Sequence, residues 1–484
     1  MVKRTTRPGG FICQKNKMQN FKKVKIIATT GPAMESSEKI SAAISAGVDV
    51  FRINFSHCSR EEAFMRVENI RKAEKEHGRP IAIMADLAGP KIRIGMMKDG
   101  QEMTEGSLVA IHKELKEGDK NNIAVNHPEI VDNLFLGCEV YLGDGDVRLE
   151  IVKKGKDKAI AKVTAPGKVR SKMGFSAHGL ALKKFEISSK DKADIKIACE
   201  AGMDAIAASF IQTDLDIKAI RKLVEKEGRD LMLIAKIETQ QGIDNAQKIL
   251  DVADGIMVAR GDLGYAIPME RVPHVQKELI TLARSKNKPV ITATQMLESM
   301  GQNSFPTRAE ITDVANAVMD GTSGVMLSQE TSKGMYPLES VRVMAKIARG
   351  AESYIPVIDL PELNEIYDAV ATSAVSVAEH IGAQFIAAFT ESGSSARRVC
   401  RHRPDCPILA LTPSISVARR LCFSWGVMPF VAKEPKGFEE LDDLVRIALQ
   451  TGYFKAKKGG TVVIVAGVPF GLAGSTNLLH VAKI

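Results

Sequence analysis

Eight short apolar runs between Val24 and Thr331 constrain the fold more than any other feature of this chain. They are VKIIATT (from Val24), VDVFRINFS (Val48), PIAIMADLAG (Pro80), MDAIAASFI (Met203), LMLIAKIE (Leu231), DGIMVARGDLG (Asp254), PVITATQML (Pro289) and SGVMLSQET (Ser323). Near-continuous apolar runs of this length belong to strands buried on both faces of a parallel sheet, which leave no wet face for polar alternation. Helical patterns separate most of them. SSEKISAAISAG from Ser36 has a serine cap and a closing glycine, and SREEAFMRVENIRKAEKEHG follows from Ser59. Eight strand–helix units predict an α/β chain built on a closed (β/α)8 barrel.

Residues 90–187 break the pattern where a single helix would normally fit. Within them TEGSLVAIHKEL, GCEVYLGDGDVRLEIVKK and KAIAKVTAPGKV alternate and turn at Gly and Asp, the signature of a small inserted β domain. From 355 to 484 a second α/β unit is expected, with strands AQFIAAFT, CPILALTP, GVMPFVAK and GTVVIVAGV. The expected division is a basic tail at 1–23, a barrel at 24–89 and 188–354, the insert at 90–187 and the C-terminal domain at 355–484. The tail has no acidic residue and is read as a solvated segment in preference to a transit peptide.

Other features exclude whole classes of function. Aromatic residues make up only 5%, with Trp425 the single tryptophan, too few for single-stranded nucleic-acid platforms. A net charge of +9 over 484 residues suits an anionic small substrate, and no nucleic-acid partner is expected. No stretch has the length and apolarity of a membrane span. The seven scattered cysteines have neither zinc nor CxxC spacing, which points to a reducing cytoplasm. There is no GxxxxGK[ST] loop, no GxGxxG after the first strand of either α/β unit, and no HExxH.

Catalytic groups of such barrels lie where strands end, and polar residues gather at six of these ends. The second run ends in Arg52, Asn54, Ser56 and His57, and the third in Asp86, followed by Leu87 and the GPKIR of Gly89–Arg93. The fifth ends in Lys236 and Glu238, the sixth in Arg260 and Asp262, the seventh in Thr294 and Gln295, and the eighth in Ser328 and Glu330. Glu238 and Asp262 are hard oxygen ligands suited to Mg2+, and Arg52, Lys91 and Arg93 supply fixed positive charge. A cation-rich mouth with a divalent metal is what phosphoryl transfer needs. Two plainer readings stand beside this one: Lys236 and Glu238 form a structural ion pair, and His57 is a hydrogen-bonded loop group.

These residues, in these motifs, closely resemble the pyruvate kinase family from about Val24 onward. LMLIAKIETQQGI matches its active-site signature, and FRINFSH, MVARGDLG, TATQMLESM and PTRAEITDVANAVMDGTSGVMLSQETSKGMYP match as well. The resemblance implies transfer of a phosphoryl group from phosphoenolpyruvate to ADP, giving pyruvate and ATP, as the last step of glycolysis. It places Mg2+ or Mn2+ on Glu238 and Asp262, and makes Lys236, Thr294 and Arg52 catalytic. Ala259, Arg260 and Gly261 would border the substrate carboxylate, and Asn54, His57 and Arg93 would meet the nucleotide. The inserted domain would be a lid. A phosphorylated allosteric effector, a sugar monophosphate or AMP, would sit at Thr390, Ser392, Gly393, Ser394 and Ser395 in a homotetramer.

Three departures from the family pattern stand out. Cys58 follows His57 where glycine is usual, and Met173 occupies a lid position usually held by lysine, so the lid's contact with the nucleotide is expected to pass to Lys172 or to be weaker. Lys91 replaces a glutamate found in K+-dependent relatives. Asn54, Ser56, Asp86 and Leu87 match the groups that hold K+ in many relatives, while Lys91, together with leucine at 87, resembles the K+-independent branch, its ammonium expected to offset Asp86 in place of the ion. The GDGD turn of Asp144 and Asp146 is read as a hairpin in preference to a metal site. The rival readings are a barrel aldolase and, from another class, a regulatory pseudoenzyme that binds metabolites without turnover.

Overall fold

The computed structural model describes residues 21–484 except Asp144, 180–185, 357, 359, 361–364, 453, 455 and 473. The basic segment before Phe21, and Asp144 of the GDGD turn, therefore lie outside the described residues.

The eight apolar runs form eight parallel strands: strand 1 (Lys25–Thr29), strand 2 (Val50–Asn54), strand 3 (Ala82–Asp86), strand 4 (Ala205–Ala208), strand 5 (Met232–Ile237), strand 6 (Gly255–Ala259), strand 7 (Val290–Ala293) and strand 8 (Gly324–Leu327). Strand 1 pairs with strand 2 on one side and with strand 8 on the other, in the register Lys25↔Gly324, and the barrel closes without an edge. Helices cover its outside. Ser59 caps Arg60–His77 through a reciprocal capping box with Glu62, and Gly78 ends that helix in a left-handed turn at φ 59°.

The two-residue period of a strand sorts side chains between two cores. Ile26, Ala28, Phe51, Ile53, Leu233 and Ala235 face the helices. Ile27, Val50, Met84, Ala205, Met232 and Ile234 fill the barrel axis. Following the inward parity upward leads to Thr29, Arg52, Asp86, Ser209 and Lys236. The pattern that packs the axis also delivers the polar groups to its upper end.

The insert carries its own core, drawn from residues between Ile92 and Ala177. Its sheet order is Phe175–Ala177, Glu139–Leu142, Val147–Lys154, Lys158–Ala165, Leu108–His112 and Asn122–Ala124. Leu142 pairs with Val147, so the strands on either side of the GDGD segment are antiparallel neighbours. The C-terminal sheet runs Val427–Val431, Ile408–Thr412, Ile386–Phe389, Thr461–Ala466, Leu478–Lys483, with separate apolar clusters on its two faces. The last strand is antiparallel and was not foreseen. It is a largely wet edge, with little of the apolar alternation that marks a strand in sequence. Cys422 and Phe423 of this unit plug the lower end of the barrel axis. No helix among the described residues is long and apolar enough to cross a membrane.

Candidate active site

Asp86 is the hub at the upper end of the barrel. It is 2% exposed, and both its oxygens are engaged: Oδ2 accepts from Arg52 Nε at 2.6 Å and Oδ1 from Lys236 Nζ at 3.2 Å. Burial alone would raise its pKa, but Lys236 and Arg52 outweigh it and hold the carboxyl below the ordinary range. Arg52 Nη1 also donates to Thr29 Oγ1 at 2.9 Å. Lys236 donates to Ser209 Oγ at 2.6 Å, and Ser209 donates in turn to the Leu87 carbonyl at 2.7 Å. Burial would lower the Lys236 ammonium, yet Asp86 and Glu238 raise it, so it stays charged.

Glu238 lies one residue beyond strand 5, and 1% of it is exposed. Oε2 accepts the Phe210 amide at 2.6 Å. Oε1 is 3.1 Å from Lys236 Nζ but receives no aligned hydrogen bond among the described residues. The ion pair anticipated from sequence exists, yet it leaves one buried carboxylate oxygen unsatisfied. Burial, then the neighbouring charge of Asp262, push the Glu238 carboxyl up against the pull of Lys236. A buried carboxylate with an orphaned oxygen, beside a second carboxylate, fits a divalent cation that completes its shell with substrate oxygens. Glu238 and Asp262 share a cleft of about 530 Å³ with Lys91, Phe175 and Phe210.

Strand 6 ends at Ala259, and Arg260–Ala266 form a short helix, so Asp262 sits in a first helical turn instead of on the strand. Arg260 commits its guanidinium to a bidentate pair with Asp313, at 2.6 and 2.7 Å. It also donates to the Thr294 carbonyl at 2.8 Å. Thr294 follows strand 7 with φ 70°, and Gln295 has φ 55°. A positive φ is a genuine outlier for a β-branched residue. Its Oγ1 accepts the Gly261 amide at 2.9 Å and donates to the Ala293 carbonyl at 2.6 Å.

Other expected residues lie apart from this cluster. Asn54 Oδ1 accepts the Ser56 amide at 3.1 Å, and His57 is exposed on the same loop. Cys58 meets Arg66 and the Ser59 carbonyl, and burial pushes its thiol up to about 11. Arg93 stands in the insert, donating to the Lys172 carbonyl at 2.9 Å. Met173 is 4% exposed within the insert's core, while Lys172 is exposed with φ 63°. Glu330 accepts the Ser328 and Leu297 amides and is a structural cap. One expectation is corrected. Lys91 does not offset Asp86, whose charge is met by Arg52 and Lys236; its ammonium lies 3.8 Å from Asp262.

Sequence reasoning missed Ser209 and Phe210, because the fourth run ends in one small hydroxyl and one apolar residue with no charge to draw notice. It also missed Tyr265. From the helix that carries Asp262, this ring packs 5.3 Å from Tyr141 of the insert, and the Ala266 carbonyl accepts the Gly179 amide at 3.1 Å. In the C-terminal unit, Thr390 Oγ1 is buried without a partner among the described residues, and the Ser395 hydroxyl is bound to Thr476 at 2.6 Å. Gly393 takes φ 84° just before the helix Ser394–Cys400.

Comparison with known proteins agrees with this geometry. Residues 21–341 match the family model "Pyruvate kinase, barrel domain", and residues 368–482 match "Pyruvate kinase, alpha/beta domain". Curated relatives named pyruvate kinase from Staphylococcus aureus strains MRSA252, USA300 and NCTC 8325 are each 40% identical over 471 residues. That span is 95% of this chain and 80% of theirs. The chain belongs to the pyruvate kinase family.

Proposed function

We propose that this chain transfers the phosphoryl group of phosphoenolpyruvate to ADP, giving pyruvate and ATP as the last step of glycolysis. The observation that carries the residue assignment is the Arg52–Asp86–Lys236–Glu238 array, with its one unsatisfied carboxylate oxygen, at the upper end of the barrel. Glu238 and Asp262 would hold Mg2+ or Mn2+, which supplies charge neutralisation to the bound phosphate and carboxylate oxygens. Lys236, fixed as a cation, would stabilise charge that grows on the transferring phosphoryl and the enolate oxygen. Arg52 would hold phosphate oxygens, and Thr294 Oγ1 would stand beside the enolate carbon to pass on a proton. Ala259, Arg260 and Gly261 would border the substrate carboxylate with their backbone, since the Arg260 side chain is committed to Asp313. Asn54 and His57 on the barrel and Arg93 on the insert would meet the nucleotide once the insert, acting as a lid, excludes water.

The proposal extends to a barrel at 24–89 and 188–354, a lid at 90–187 and a regulatory domain at 355–484, assembled as a cytoplasmic homotetramer. A sugar monophosphate or AMP would occupy the cavity of about 470 Å³ beside Thr390, Ser394, Ser395 and Lys433, where the unpartnered Thr390 hydroxyl would receive it. Ser392 and Gly393 complete that loop. K+ would not be required. A lactate-dehydrogenase-coupled assay with phosphoenolpyruvate, ADP and Mg2+ tests the reaction. Pyruvate is expected, and folded protein that forms none overturns the assignment in favour of a metabolite-binding pseudoenzyme.

A further inference from the structure

At the lower end of the barrel, opposite the mouth, a cavity of about 830 Å³ opens between the barrel and the C-terminal unit. Five of its lining side chains are cations, Lys286, Lys288, Arg397, Arg398 and Arg420, against one carboxylate, Asp254. That carboxylate is already engaged by Arg221 at 2.9 Å and by the Leu233 amide at 2.8 Å. Lys286 pairs with Asp251, Arg398 with Glu365 and Asp368, and Arg420 with the largely exposed Asp230. Among the described residues, Lys288 hydrogen-bonds the carbonyls of Leu250 and Ala253 alone, and Arg397 that of Ser392 alone, at 3.2 Å.

A smaller pocket of about 230 Å³ continues the cavity inward and shares Asn287, Lys288, Arg397 and Ser424 with it. Arg284 lines this inner pocket and is 3% exposed. Among the described residues its Nε and Nη1 are buried with no hydrogen-bond partner, and its guanidinium donates only to the Arg401 carbonyl, at 3.3 Å. Burial, then the charge of Arg403, lower its guanidinium to about 9. A buried cation without a counter-charge is strongly unfavourable, and several on one cavity compound the cost. Guanidinium forks beside an ammonium and serine hydroxyls form the donor set that phosphate oxygens satisfy.

We infer that this cavity is a second anion site, binding inorganic phosphate or the phosphoryl group of a small ester and joining the barrel to the C-terminal unit. It is separate from the cavity beside Thr390 and Lys433: the two share Ser394 and no other lining residue. It also does not depend on the reaction assigned to the mouth.

The test is calorimetry and thermal unfolding of the full chain with inorganic phosphate or glycerol 2-phosphate, at ionic strength matched with NaCl. Either probe should bind and raise the melting temperature, because a ligand of the folded state stabilises it by mass action. Tighter binding of phosphate identifies the free ion as the occupant, and tighter binding of glycerol 2-phosphate identifies an ester. Arg397→Gln should weaken binding at least about tenfold, the effect of one lost charged contact worth about 1.4 kcal/mol. Arg420→Gln serves the same purpose should Arg397→Gln fail to fold. Any phosphate held beside Thr390 and Lys433 is a separate event, so Lys433→Gln should leave the Arg397-dependent response in place. No response to either probe beyond NaCl, an unaltered response in the lining variant, or loss of the Arg397-dependent response in Lys433→Gln overturns the inference.

Discussion

Thr294 is held in a left-handed backbone that costs on the order of 1–3 kcal/mol for such a residue. Three contacts hold it there, the Gly261 amide on its hydroxyl, that hydroxyl on the Ala293 carbonyl, and Arg260 on its own carbonyl, and Arg260 is itself locked by Asp313. The hydroxyl thus sits at the end of a rigid chain, beside the residue preceding Asp262. Thr294→Val keeps the shape and removes the hydroxyl. It should cost about 1–2 kcal/mol of stability by orphaning the Gly261 amide, and lower kcat much more than it changes KM for phosphoenolpyruvate. A variant with unchanged kcat removes Thr294 from the proton path. Lys236→Met should lower kcat by about a hundredfold or more, as loss of one preorganised donor does, while phosphoenolpyruvate still binds. Retention of more than about a tenth of the activity contradicts its role. Lys236 and Glu238 were legible because charge at the end of an apolar strand has few structural explanations. Ser209 was not, since a serine after a strand has many.

Among the barrel elements, the eight strands were legible because double burial removes polar residues from both faces and leaves a continuous apolar run. Their ends were less so: DGIMVARGDLG reads as one strand, yet its second half is the helix that carries Asp262. Asp49, just before strand 2, shows how strand ends are tied at the lower end. Its carboxylate accepts from Lys22 at 2.6 Å and from the Ile26 amide at 2.9 Å, with Arg79 at 3.6 Å and Lys25 at 3.9 Å. Burial would raise its pKa, but Lys22, Lys25 and Arg79 outweigh that and hold it at about 2. Three cations share the one carboxylate, so each gains less than it does, and burial still pushes the Lys22 ammonium down. A carboxyl depressed on folding stabilises the fold above its ordinary pKa, and that contribution fades as pH falls from about 4 towards 2. Asp49→Asn should therefore cost about 2 kcal/mol near pH 6, with the gap from wild type narrowing below pH 4. Urea unfolding at several pH values measures it, and a gap independent of pH shows that packing, not charge, is what Asp49 contributes.

Across the whole molecule, the insert joins the barrel beside the mouth, and Lys91 stands just inside that junction. The three-part order was legible, because an insert with its own alternating pattern interrupts a barrel that is otherwise regular. What sequence could not supply was the partner of Lys91, since the approach of its ammonium to Asp262 depends on how the insert is set against the barrel. At 3.8 Å in water-like surroundings such a pair contributes about 1 kcal/mol, and both side chains are more than a third exposed. On the proposed function its larger effect would be on the charge of the mouth, where a tethered +1 would serve substrate anions without an ion having to be bound first. Lys91→Glu reverses that charge and sets a carboxylate facing Asp262, which a small monovalent cation would then have to neutralise. The wild-type chain should be near fully active in potassium-free buffer. Lys91→Glu should be at least about tenfold weaker there, equivalent to about 1.4 kcal/mol, and should recover when KCl is added. Activation of the wild type by KCl, well beyond that from an equal concentration of a tetraalkylammonium salt, would show that Lys91 does not replace the ion.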